Sequence, residues 1–337
     1  MKIVRRAPVP ARLTAAALAA VCIATVAGCN SAASGGSSGT PTIGIVELNL
    51  SNPFFGTLEK ATEAAAKAKG WKVMKAEAKT PGDSATQVTA IENMIANKVK
   101  AIVVTPASAT ALNSVLQRAR DQKILVLTVN APLDPTTSAD ATYATDNVEA
   151  GKLIGQWAKA TATGDSHVAM LDFDLSDKPA ADRHNGFLTG YGINSSALAG
   201  SALTKGTEDT GQSAMESLLS AHPDINVVYT INEPTAHGAY TAIKNKGRAA
   251  KTVLVSVDGA CSGVEDVKSG AIGATAMQFP DKMGTMAVDA AAAYIKDGTK
   301  PTSGIIDSGT VLITDHPVQG IASQTSEWGL SHCWGPK

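Results

Sequence analysis

Two stretches of the chain repeat one arrangement, and that repeat constrains the fold more than any other feature. AIVVTPASATALNSVLQRARDQKILVLTVN (101–130) reads strand, polar tip, helix, strand, polar tip. NVVYTINEPTAHGAYTAIKNKGRAAKTVLVSVDG (226–259) reads the same way. Thr105 answers Asn232, and Asn130 answers Asp258. Sequence identity between the two is slight, so the repeat is one of topology. A strand, a helix and a second strand running the same way form a βαβ unit of a parallel sheet. Two such units predict two similar lobes, each offering polar groups from its strand tips. Lobes that face one another make a cleft.

The alternation runs through most of the chain. Short apolar runs at 42–48, 72–76, 101–104 and 124–129 read as strands. Amphipathic runs at 57–69, 84–97 and 108–121 read as helices between them. The segment 140–147 is polar, lacks helix periodicity and is expected to cross to a second lobe. The pattern then restarts, with strands at 168–173, 227–231, 252–257 and 272–277. Helices are expected at 149–162, 181–190, 212–220, 235–246 and 282–296, before a last strand at 309–314 and an irregular tail. A chain of 337 residues is long for one core and natural for two. The expected class is α/β, with two doubly wound parallel-sheet lobes joined by a three-strand hinge near 145, 278 and 308. The lobes would span 41–145 plus 279–307 and 146–278 plus 308–337.

The N-terminus reads as an export signal. Lys2, Arg5, Arg6 and Arg12 precede an apolar stretch from Leu13 to Ala27. That stretch is short for a spanning helix. Val26-Ala27-Gly28-Cys29 then reads as a lipobox, small residues ahead of a cysteine that becomes the lipidated N-terminus. The expectation is a signal peptide over 1–28, lipidation at Cys29 and a flexible Gly/Ser tether over 29–40. The body would sit outside the cytoplasmic membrane on a lipid anchor. Besides Cys29, Cys261 and Cys333 remain in the mature chain. In an oxidising compartment an even pair fits a disulfide, with two buried free thiols as the alternative.

Composition narrows the function. Apolar residues make up 44% and charged residues 18%, with a net charge of −1, and no charge block suggests nucleic acid. There is no G-x-S-x-G, no Walker loop and no G-x-G-x-x-G. The six histidines are scattered without metal-ligand spacing, so no metal and no cofactor are expected. The polar tips carry the chemistry instead. Asn52, Phe54, Phe55, Asn130, Asp146, Arg183, Asn232, Glu233, Asp258 and Gln278 all fall at or near expected strand ends. Planar amide, carboxylate and guanidinium groups match neighbouring hydroxyls bidentately, and aromatic faces pack on the C–H side of a sugar ring. The chain has only five Phe, and two of them stand at one polar tip. Each residue taken alone has a second reading: Asn and Asp cap helices, and Phe54 fits a hydrophobic staple. A carboxylate pair for glycoside hydrolysis is open among Asp146, Glu233 and Asp258.

SNPFF (51–55), TDN (145–147), the run from Arg183 to Phe187, INEP (231–234), VDG (257–259) and MQFP (277–280) together carry a resemblance. The chain resembles the sugar-binding proteins of bacterial ABC transporters, the ribose-binding-like class with the periplasmic-binding-protein type I fold. Within that class it is similar to fructose-binding proteins, in the 142–158 run, in SVDGACSGV and in the closing CWG, both cysteines included. The resemblance implies that Asn52, Arg183, Asn232, Asp258 and Gln278 bind hydroxyls while Phe54 and Phe55 flank the ring. It implies a monomeric clamp that closes on a monosaccharide and delivers it to an ABC permease, without turnover. Asn130 stands where the class usually has Asp, Ala131 where ribose binders have Arg, and the Gly206 region lacks their aromatic. These departures argue against ribose and leave a pentitol or tetritol open beside fructose. A ligand-sensing module for a chemoreceptor or sensor kinase, and a secreted glycosidase, are the alternatives.

Overall fold

The computed structural model describes residues 39–336, apart from 49, 51 and 81. The expected signal peptide, Cys29 and most of the tether lie outside the described residues.

Strands β1 (Thr42–Glu47), β2 (Lys72–Glu77), β3 (Ala101–Val104), β4 (Leu125–Val129) and β5 (Ala141–Ala144) form one sheet. Strands β6 (Val168–Asp172), β7 (Gly200–Leu203), β8 (Val227–Thr230), β9 (Val253–Asp258) and β10 (Ala274–Met277) form another. Then β11 (Ile305–Asp307) rejoins the first sheet and β12 (Val311–Ile313) the second. The orders are β11-β5-β4-β3-β1-β2 and β12-β10-β9-β8-β6-β7, so the two sheets repeat one topology. Every pairing is parallel except β12 against β10. Central strands such as AIVV, LVLTV and VAMLD are buried along their whole length, the burial expected of a parallel sheet covered on both faces. Edge strands β2 and β7 are exposed at alternate or near-alternate positions instead.

Ten helices are described: α1 (Pro53–Ala68), α2 (Ser84–Ala96), α3 (Asn113–Asp121), α4 (Asn147–Thr161), α5 (Lys178–Tyr191), α6 (Glu208–Ala221), α7 (Glu233–Asn245), α8 (Cys261–Ser269), α9 (Pro280–Asp297) and α10 (Ser326–His332). Helix α9 packs on α1, β4 and β5, whereas α4 packs on α5, β9 and β10. The chain therefore passes between the two layered bodies three times: from β5 to α4, from β10 to α9 and from β11 to β12.

Four helices facing the strand tips share one start. Pro53, Pro179, Pro234 and Pro280 occupy the first turns of α1, α5, α7 and α9. Proline there supplies a ready-made φ and lacks only an N–H that the helix would leave unpaired. Asn52, Asp146, Asp177 and Asn232 cap α1, α4, α5 and α7 through their side chains. Helix α1 thus begins at Pro53 rather than 57, which puts Phe54 and Phe55 on its first turn.

Several expectations shift. Segment 140–147 contains β5, so the crossing starts only after Ala144. The strand is fully buried, and Thr142 Oγ1 lies 2.6 Å from Thr128 Oγ1 on β4, which satisfies its polar side chain inside the sheet. Local pattern does not predict strands β7 and β11 or helices α8 and α10. Each is short, and β11 exists through its pairing with β5.

Candidate functional site

In both sheets the strand order reverses beside the first strand, between β1 and β3 and between β6 and β8. Ligands of open α/β sheets sit beyond the carboxyl ends of strands at such switch points. A cavity of about 230 Å3 opens there, lined from both bodies. Asn52, Phe54, Phe55, Asn130, Arg183, Asn232, Asp258 and Gln278 all line it.

On the first body, Asn52 Oδ1 accepts from Phe54 N at 2.9 Å, so the cap and the cavity wall are one residue. The Phe54 ring is 3% exposed and meets Phe55 edge-on at 5.4 Å. Asn130 follows β4 with φ 65°, in the left-handed region, and its N–H donates to Tyr143 O. Asp258, its counterpart at the end of β9, has φ 150°. Non-glycine residues held in sparsely populated backbone regions cluster at functional sites. Here both sheets place one at the same tip.

On the second body, Arg183 reaches the cavity from α5. A close helix pair sets its position: a Cβ on Gly151 of α4 would collide with the Arg183 carbonyl, and one on Gly186 with the Val148 carbonyl. Arg183 Nε donates to Asn147 Oδ1 at 2.8 Å and Nη1 to Ile231 O at 2.9 Å. Nη1 also lies 3.9 Å from Asp258 Oδ1. Asn232 Oδ1 accepts from Thr235 N, and its Nδ2 donates to Gly206 O at 3.0 Å. Gln278 Nε2 donates to Asp258 Oδ1 at 2.9 Å. Burial pushes the Asp258 carboxyl up to about 6, against the opposing pull of Arg183 and of the donors from Glu233 N and Gln278.

Two expected site residues stand elsewhere. Glu233 is buried behind the cavity. Its Oε1 accepts from Gly259 N and Thr275 Oγ1, both at 2.8 Å, and its Oε2 from Ala260 N at 2.9 Å. Those bonds brace the turn that carries Asp258 into α8. Burial, with the Asp258 charge beside it, pushes the Glu233 carboxyl well up. Asp146 is exposed at the first crossing. Its Oδ1 accepts from Glu149 N and its own N–H donates to Asp307 Oδ1. It lines a separate cavity between the crossings, which shares Asn130 and Pro179 with the main one.

Sequence reasoning missed Phe173, Asp177, Lys205 and Thr207 on the lining. Phe173 follows β6, the strand equivalent to β1, so it is the second sheet's aromatic at the matching tip. That equivalence was the available signal. Asp177 caps α5, and burial raises its carboxyl above the usual range. Lys205 and Thr207 follow β7, a strand that local pattern does not reveal.

The lining combines aromatic rings with planar amide, carboxylate and guanidinium groups, a set matched to vicinal hydroxyls. Its described residues include no Ser, Cys or His. Among the described residues no group of His, Cys, Asp or Glu is placed to hold a metal ion, and no helix is long and apolar enough to cross a membrane.

A family model described as periplasmic binding protein domain matches residues 43–300. The ribose import binding protein of Bacillus subtilis (strain 168) is 29% identical over 254 residues, covering 74% of this chain and 80% of that protein. A periplasmic solute-binding protein of an ABC transporter from Actinobacillus succinogenes 130z, solved with bound D-allose, superposes with a TM-score of 0.75 at 26% identity, covering 82% of this chain and 98% of that one. The binding protein of the arabinose ABC transporter from Shewanella sp. ANA-3, bound to α- and β-L-arabinofuranose, gives 0.72 at 28% identity over 79% of this chain and 89% of that one.

Proposed function

This chain belongs to the periplasmic binding protein family, and on that premise we propose that it captures a monosaccharide or short polyol outside the cytoplasmic membrane and delivers it to an ABC permease. The observation that carries this reading is the cavity itself: it lies between two repeated sheets and draws hydroxyl-matching groups from both. A ligand that touches both bodies stabilises only the conformation in which they are close. Capture is then a population shift toward a closed form that the permease recognises. The bodies are taken as 41–145 plus 279–307 and 146–278 plus 308–337, hinged at the three crossings. Arg183, Asn232, Asp258 and Gln278 bind hydroxyls, Asn52 and Asn130 bind from the opposite side, and Phe54 and Phe55 flank the ring.

The relatives named above carry aldoses, one of them in furanose form. Ala131 lines the cavity with a methyl group, and Gly206 leaves its side without a ring. This favours a fructose-like ketose, a pentose other than ribose, or a pentitol or tetritol. Cys261 and Cys333 lie with their sulfurs at bonding distance and Cα atoms 4.9 Å apart, which supports a disulfide. A lipid on Cys29 would hold the monomer at the membrane. The reaction class is binding without turnover or cofactor.

A thermal-shift screen over ketoses, aldoses and polyols tests the reading. A ligand at about 100 times its Kd adds roughly 2.7 kcal/mol to the folded state. At least one panel member should raise Tm by several degrees. No shift across the whole panel would overturn it, and release of a cleaved product from a glycoside would replace it with an enzyme.

A further inference from the structure

The C-terminal tail reaches the cavity from behind. Helix α10 packs on α8, and Trp328, Leu330 and Cys333 pack against the core of the second body. Cys333 lies at bonding distance from Cys261, and Ala260 and Trp334 form a parallel bridge in which Cys261 N donates to Trp334 O at 2.9 Å. The tail is thus fastened to the second body on both sides of residue 333. Trp334 then points the other way. Its ring is 6% exposed, joins the core cluster of the first body and meets the Phe54 ring edge-on at 5.5 Å and 80°. Its Nε1 donates to Gln278 O at 2.9 Å. Gly335 follows against Pro53. Trp334 does not line the main cavity, yet two residues that do, Phe54 and Gln278, rest on it.

We propose that Trp334 is a positioning residue for the ligand cavity: anchored to the second body at Cys333, it sets the separation between the Phe54 wall of the first body and the Gln278 tip in the closed form. An edge-to-face aromatic pair has a preferred distance and orientation, and a hydrogen bond to a backbone carbonyl has a preferred length, so together they define a width. Asp258 inherits that placement, because Gln278 Nε2 donates to its Oδ1. The cavity closes to a width that suits one small ring or short chain and excludes larger sugars. The cysteine pair, although outside the cavity, supports the same geometry through Trp334. This inference rests on the sugar-binding reading above.

The test compares wild type with Trp334→Leu, Trp334→Phe and the double variant Cys261→Ser/Cys333→Ser. Calorimetric titration with D-fructose, L-arabinose, ribitol and maltose, well below each Tm, is paired with hydrogen exchange of the ligand-free proteins. Trp334→Leu should weaken the best-bound small ligand at least tenfold, narrow its preference over maltose, and speed exchange across residues 53–57. Trp334→Phe should recover part of the affinity, because a ring still meets Phe54 while the donor to Gln278 O is lost. The double cysteine variant should move in the same direction by less. A lower Tm with unchanged Kd and unchanged exchange at 53–57 would reduce Trp334 to a structural residue and overturn the proposal. If wild type binds no sugar, the sugar-binding reading fails. Exchange at 53–57 then decides by itself whether Trp334 sets the Phe54 wall.

Discussion

Asp258 combines two unfavourable circumstances, a φ of 150° and a side chain that is 7% exposed. Its neighbours offset them: Gln278 Nε2 and Glu233 N donate to it, and Arg183 stands 3.9 Å away. An ionised carboxylate there accepts charge-assisted hydrogen bonds from hydroxyls through both oxygens, and a protonated one gives up part of that capacity. With the folded-state carboxyl raised to about 6, ligand affinity should hold steady at pH 7–8 and fall as pH drops through 6. Stability runs the opposite way. The raised carboxyl contributes most at low pH, and that contribution is lost as pH rises toward 6. Asp258→Asn should weaken the ligand about tenfold to hundredfold, the span of one charge-assisted hydrogen bond, and flatten the pH profile between 5 and 7. Titrations at four pH values would check both. Reading the tips from sequence gathered Asp258, Arg183, Asn232 and Gln278, but it could not separate Asn232 from Glu233. Adjacent residues at a helix start point to different sides, and only the fold reveals that one faces the cavity and the other braces the 259–260 turn.

At the scale of elements, the α4–α5 pair is the joint that positions Arg183. Its helices touch through glycines, with backbone on both sides of the contact. Gly151→Ala should cost about 1–3 kcal/mol in denaturant unfolding, as overpacking of a tight contact does, and should weaken ligand binding by shifting Arg183. Strand β1 makes a second prediction through Glu47, which is fully buried beside Thr105 Oγ1. Burial pushes its carboxyl up to about 8, against the Thr105 hydrogen bond and with help from Glu59. The folded state therefore holds a proton that the unfolded chain releases near the ordinary carboxylate range. Stability should fall as pH rises from about 5 to 8, and Glu47→Gln should flatten that slope in urea melts. Strands such as β3, β4 and β8 were legible because three or four consecutive apolar residues, rich in Val, Ile and Leu, leave few alternatives. Strands β5, β7 and β11 were not, because runs as short as ATYA, GSAL and IID form a strand only where a neighbouring strand pairs with them.

For the whole molecule, the repeat of 101–130 in 226–259 is carried by matching strand orders. It puts Asn130 opposite Asp258 in topology and a Phe at the tip of each first strand. What no local pattern contained is the way the tail closes on Trp334, since that contact joins residues nearly 300 positions apart and depends on both bodies being folded. The proposed Cys261–Cys333 bond should appear as the absence of free thiol in those two residues under denaturing, non-reducing conditions. Two titrating thiols would refute it. The central claim is that one small polyhydroxylated ligand is held in this cavity by both bodies at once. Isothermal titration of D-fructose, L-arabinose, D-allose, ribitol and erythritol into wild type and Asp258→Asn tests it most directly. At least one of them should bind one-to-one, weakened at least tenfold in the variant. Equal affinity in both proteins, or no binding to wild type by any of the five, would contradict it.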